Sequence, residues 1–206
     1  MNNICIENNS DKKYINKNVT LNAESSAEEF HSLIENISLI KEDYILDVEY
    51  MICVADIFEN EKFNSMDNII QHGDTTTKMH SIQVSYLSYR ICKRMGLDCD
   101  SAARSGLLHD FFLYDWHTHS KETGNHFHGF THPRVALNNA NNEFELNDIE
   151  QDTILRHMWP LTIIPPMSIE GMVVVYADKV CTILEVCERF KKMIRGRVKW
   201  NLVKNW

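Results

Sequence analysis

Met172-Val-Val-Val-Tyr-Ala-Asp178-Lys-Val-Cys-Thr-Ile-Leu184 is an apolar run with one carboxylate set in its middle. Pro165 and Pro166 bound a linker ahead of it, and Ser168 starts a helix that reaches about Lys192. On such a helix Asp178 lies on the face of Val174 and Cys181, and that face is the buried one. Burying an unpaired carboxylate costs several kcal/mol, so a partner is required. The partner is either a cation, an arginine from another helix or the neighbouring Lys179, or a metal ion. Both readings stand on this segment alone.

Outward from this run the chain reads as helix after helix, with no convincing alternating strand. Only seven glycines and four prolines interrupt 206 residues, and 44% apolar content is enough for one core. Residues 1–24 are rich in Asn, Lys, Asp and Ser and read as a flexible arm. The body, residues 25–190, opens at Ser25 or Ser26, where Ser26 and Glu29 have capping-box spacing. Phe30, Leu33, Ile34, Ile37 and Ile40 then give one apolar face. A second helix, from about Asp43 to Glu59, is expected to bury Ile45, Val48, Met51, Ile52 and Ala55.

Asp74 is the expected N-cap of a third helix that Gly96 stops. A short helix follows from about Asp100 to Asp110, then a His-rich loop from Tyr114 to Thr131. Pro133 is expected in the first turn of a helix running to about Asn142. Asn147 and Glu150 again have capping-box spacing, for a helix ending near Trp159-Pro160. The architecture expected is an all-α, single-domain multi-helix bundle with a metal site in its core.

Net charge is −8, but residues 189–206 hold seven basic residues and no acid. Residues 191–206 are therefore read as a basic C-terminal tail on an acidic body. An acidic body disfavours general nucleic-acid binding, so nucleic acid is not an expected partner. No run approaches the roughly 20 apolar residues of a membrane span, and the polar N-terminus does not resemble a signal peptide. The expectation is a cytoplasmic protein that keeps away from membranes, with homo-oligomerisation left open. Six scattered cysteines without a Cys-x-x-Cys pair read as small core residues rather than a zinc ribbon.

Several histidines occupy positions that face inward. His80 shares a helix face with Val84, Leu87 and Ile91. His109-Asp110 ends the helix of Ala102, Ala103, Gly106, Leu107 and Leu108, while His157 follows Ile154 by three and His132 precedes Pro133. Each alone is met equally by a histidine hydrogen-bonded to a backbone carbonyl. Together, buried imidazoles and carboxylates on different helices of one bundle are satisfied by a shared divalent cation. Mixed imidazole and carboxylate ligation suits Fe, Mn, Zn, Co or Ni better than Ca or Mg. With no thiolate in the set, open water-bearing positions are expected rather than a closed structural zinc.

This order of residues resembles the HD phosphohydrolase superfamily: a histidine, a His-Asp dipeptide and a distant aspartate, all on helices. His80, Gly106-Leu-Leu-His-Asp110 and Tyr176-Ala-Asp178-Lys179 carry the resemblance, which spans roughly residues 74–190. It implies one metal held by His80, His109, Asp110 and Asp178. In two-metal members of the HD-GYP type, further histidines follow, one opening a His-Pro step and one ending a later helix. His132-Pro133 and His157 are similar to these. A second ion would then take His132, His157 and Asp110, the last as a bridge. Leu113 stands where that subgroup has a lysine, and Met158-Trp-Pro-Leu161 replaces its Gly-Tyr-Pro element.

The resemblance implies hydrolysis of a phosphate mono- or diester, of a nucleotide or related small phosphorylated molecule, with one or two divalent transition-metal ions. Asp110 is the candidate bridging or water-orienting group, and Arg134 and Lys179, next to proposed ligands, are candidates for holding phosphate. Loop histidines His117, His119, His126 and His128 are candidates for a lid or proton source, His128 foremost as a general acid. Two other readings share the scaffold: an HD-type di-iron oxygenase, and a non-catalytic signalling module that binds metal or nucleotide.

Overall fold

The computed structural model describes residues 44–72, 74–114 and 128–204, with the backbone alone at 72, 128–129 and 195–204. The expected arm, the helix carrying Phe30 to Ile40, the side chain of His128 and the loop histidines 117, 119 and 126 lie outside the described residues. The fold is all-α. Among the described residues, seven α-helices and one two-stranded ribbon follow in the order α1 (Val48–Glu59), α2 (Glu61–Ser65), β1 (Ile70–His72), β2 (Thr75–Thr76), α3 (Thr77–Met95), α4 (Cys99–Leu108), α5 (His128–Glu143), α6 (Asp148–Arg156) and α7 (Ile169–Lys204).

Side chains cap the N-terminal ends of five of the described helices. Asp47, Asn60, Thr76, Asp98 and Asn147 each accept a backbone N–H of the following first turn. The capping box of Asn147 and Glu150 is formed in both directions. Gly96 ends α3 in the left-handed region, φ 69°, where a side chain would be strained.

α4 is the hub. It packs against α1, α3, α5, α6 and α7. Such a position demands small side chains, and Ser101, Ala102, Ala103, Ser105 and Gly106 are all buried. Where α3 and α4 cross, a Cβ on Gly106 would lie 2.7 Å from Ser85 Cα of α3. Ser85 Oγ donates to the Ala103 carbonyl at 2.6 Å, and Tyr50 of α1 meets the same hydroxyl at 2.9 Å. Arg104, the basic side chain of α4, donates to Asp56 of α1 (2.6 Å) and Glu150 of α6 (3.1 Å), so its half-buried guanidinium is paired on both sides.

Five expectations need correction. α1 buries Tyr50, Val54 and Ile57, while Ile45, Val48 and Ile52 are more than half exposed. Apolar residues occupy both sides of this helix, and the inner side is chosen by aromatic contacts among Tyr44, Tyr50, Tyr86 and Tyr89. Thr76, not Asp74, caps α3, because residues 70–72 and 75–76 pair as an antiparallel ribbon that the sequence does not announce. α5 begins at His128, so Pro133 lies inside it rather than in its first turn. α6 ends at Arg156, with His157 as its cap, and the chain turns through Trp159 and Pro160. α7 continues past Lys192 to Lys204. Among the described residues no helix is long and apolar enough to cross a membrane.

Candidate metal centre

Five helices aim polar side chains at one buried region. α3 supplies His80, the C-terminal end of α4 supplies His109 and Asp110, α5 supplies His132, the end of α6 supplies His157, and α7 supplies Asp178. All six are buried. They fall into two triads, His80–His109–Asp178 and Asp110–His132–His157, with one donor atom from each residue lying within 4.8 Å of the others in its triad. The sequence puts Asp110 in the first set as a bridge. In the structure one of its oxygens serves each side: Oδ1 is 3.2 Å from His132 Nε2 and 3.5 Å from His157 Nε2, while Oδ2 is 3.4 Å from His109 Nε2.

Local hydrogen bonds decide which nitrogen each ring presents. His109 and His157 sit at the C-caps of α4 and α6, and each donates Nδ1–H to the carbonyl three residues back, Gly106 and Ile154, at 2.8 Å. This leaves Nε2 of both rings unprotonated and facing inward, that of His157 toward His132 Nε2. His80 Nδ1 meets Glu185 Oε1 at 2.9 Å and its Nε2 meets Asp178 Oδ1 at 3.2 Å. A carboxylate behind an imidazole in this way fixes ring orientation and raises ligand basicity.

The donor set fits a divalent ion. His109 Nε2 is fully buried and has no hydrogen-bond partner among the described residues. His132 Nε2 and His157 Nε2 approach to 2.8 Å. Since His157 Nδ1 is the donor to Ile154, its Nε2 carries a lone pair, here turned on His132 Nε2, and both nitrogens are of the type a divalent cation takes as ligands.

The electrostatics are strongly coupled. Burial disfavours charge on His80, but Asp178 and Glu185 outweigh it and push its pKa up to about 10. Burial would raise the Asp110 carboxyl, yet His109, His132 and His157 hold it well below the usual carboxylate range. Burial likewise opposes the Asp178 carboxylate, and His80, His109 and Lys179 hold its pKa far below normal. His157 is pushed down to about 3 by burial and by its neighbours His132 and His109.

Of the other residues singled out in the sequence, Lys179 Nζ lies 2.6 Å from Asp178 Oδ2 while its side chain stays 42% exposed. The Lys179 pairing left open in the sequence is thus present together with the histidine contacts. Arg134 is exposed and stands two positions after His132, about 200° round α5; it is not brought to the cluster. Two contacts were missed. Glu185 lies seven residues after Asp178, hence on the same face of α7, and that spacing was the available signal. Gln71, on β1, donates to Asp110 Oδ2 at 2.6 Å, and no sequence pattern marks it.

An all-helical bundle with paired His/Asp triads in its core defines a class of metal-binding helical domains. The family model of the HD domain matches residues 77–183, and the chain belongs to that family, whose members are mostly metal-dependent hydrolases. No curated protein and no solved structure matches the chain.

Proposed function

We propose that this chain is a metal-dependent phosphohydrolase that cleaves a phosphate mono- or diester of a nucleotide or a related small molecule. The observation that carries the reading is the pair of buried triads joined through the two oxygens of Asp110. His80, His109 and Asp178 would hold one ion, and His132, His157 and Asp110 a second. Divalent ions in such a site acidify water from 15.7 to about 7 and neutralise charge on phosphoryl oxygens.

The chain's own groups do the rest. Asp110, held as a carboxylate by three imidazoles, accepts hydrogen bonds at both oxygens and orients whatever lies between the triads. Lys179 carries an ammonium at the rim, one side on Asp178 and the other open to solvent, where it can take a phosphate oxygen. His128, one helical turn before His132 on α5, is the proposed proton donor to the leaving group. Matching pH–rate profiles for wild type and His128→Gln would remove that role.

The deciding experiment is Asp110→Ala, assayed for bound metal and for turnover on a panel of nucleotides and phosphoesters. Loss of both is expected. Unchanged metal content and rate would reject the assignment.

One observation favours a second reading. Each triad holds two histidines and one carboxylate, the donor set of non-haem iron sites that activate oxygen. Oxygen consumption separates the two readings, because the hydrolase works anaerobically with a redox-silent ion.

A further inference from the structure

We propose that Gln71 is the positioning residue that divides Asp110 between the two triads. The proposal rests on the reading that Asp110 is shared by two ions. A carboxylate turns easily about its Cβ–Cγ bond, where the torsional wells are broad. A second contact must therefore decide which oxygen faces which triad. Gln71 makes that contact: it is buried, and its Nε2 donates to Asp110 Oδ2 at 2.6 Å.

The amide itself has only one workable orientation. Thr77 Oγ1 lies 3.1 Å from Gln71 Oε1 and 3.2 Å from the Ile69 carbonyl, and its one proton is shared between these two acceptors. Turning the amide over would set its oxygen against the Asp110 carboxylate, two acceptors at hydrogen-bond distance with no proton between them. With Oδ2 held in this way, Oδ1 is left facing His132 and His157.

The short ribbon places the amide. β1 pairs with β2, and Thr77 N–H donates to the Ile69 carbonyl at 2.8 Å, tying the start of β1 to the first turn of α3. α3 also carries His80, so the first triad and the clamp on Asp110 are referred to the same helix. Gln71 lies outside the 77–183 span that the family model matches, whereas its partners Thr77 and Asp110 lie within it.

The test uses the full chain, stripped of metal and titrated with cobalt(II) alone, reading stoichiometry and the visible absorption of each bound ion. Wild type is expected to take up two equivalents. Gln71→Met, similar in length and unable to donate, is expected to leave the first step unchanged and weaken the second about 10–100-fold, the usual scale for losing a group that orients a ligand. Thr77→Val, which frees the amide without removing it, should weaken the same step about 2–10-fold, the scale of one neutral hydrogen bond. It carries the test if Gln71→Met does not fold.

A wild type that binds no cobalt, or one equivalent only, refutes the two-ion reading and the proposal with it. Two equivalents in wild type, with both steps intact in the variants, overturn the role of Gln71 alone. Equal weakening of both steps, tracking a lower melting temperature, would mean that Gln71 merely supports the fold and would equally overturn it.

Discussion

Gly106→Ala tests whether the α3–α4 crossing sets the geometry of the site. The added methyl would sit 2.7 Å from Ser85 Cα, 3.0 Å from Ser85 N and 3.3 Å from Ser85 Cβ. Two of these are backbone atoms, so no side chain can swing aside. Carbon atoms are comfortable at about 3.5–4.0 Å, so the helices must part by about 1 Å. Overpacking on this scale costs about 1–3 kcal/mol, and in a domain of this size each kcal/mol lowers the melting temperature by about 2–4 °C.

The crossing lies one turn before His109-Asp110, so the shift is passed to the donors, and a 1 Å misplacement of a working group costs about 100-fold. Metal affinity is expected to drop by at least tenfold. Gly96→Ala is the control. Its φ of 69° makes alanine cost about 1–2 kcal/mol, but nothing lies within 4 Å of the new methyl and the position is at the far end of α3 from His80. Thermal melts of the metal-free proteins, with chelator competition for affinity, read both quantities. If both variants melt low yet bind metal as tightly as wild type, the crossing does not position the ligands and the reasoning fails.

Glu185→Gln should weaken metal binding about 10–100-fold through the slackened His80 ring, with little change in the far-ultraviolet dichroism; an unaltered affinity would show that Glu185 does not hold the ring for a ligand. In the metal-free protein the His157 pKa falls from 6.5 to about 3, so the unfolded chain binds more protons in that window. The contribution of His157 to stability is present above 6.5 and lost as pH falls toward 3. Urea midpoints between pH 7 and 4 should therefore show a shallower acid slope in His157→Asn than in wild type. Burial pushes the Cys53 and Cys92 thiols up to about 12, whereas Cys187 is exposed. In a Cys5→Ser background at pH 8, alkylation followed by mass spectrometry should label Cys187 first, and rapid labelling of Cys92 would contradict the packing of α3.

The six clustered residues were legible because each obeys a rule that sequence can express. His80 and Asp178 stand on apolar helix faces, where a polar group needs a reason, and His109-Asp110 closes a run of small residues. His157 was read as inward-facing from its step after Ile154 and His132 from its place before Pro133, and the resemblance implied a ligand role for both; the structure buries both beside Asp110. The ribbon was not legible, since three residues and two residues offer no periodicity, and Gln71 was invisible for the same reason. α1 misled for a different cause: its aliphatic residues outnumber the aromatic ones, yet Tyr50, whose hydroxyl has a partner in Ser85, takes the inner face. Pro133 misled because a proline usually opens a helix, and the five residues before it are too polar to announce a turn of their own.

The bond from each of His109 and His157 to the carbonyl three residues behind it has a consequence in time rather than in space. Both contacts close within a single helical turn, so they form as soon as α4 and α6 coil, on the fast scale of local events. Neither choice of nitrogen draws on a distant part of the chain: whenever α4 and α6 are coiled, each ring keeps its proton on Nδ1, and an incoming ion is offered the same atom at both helix ends.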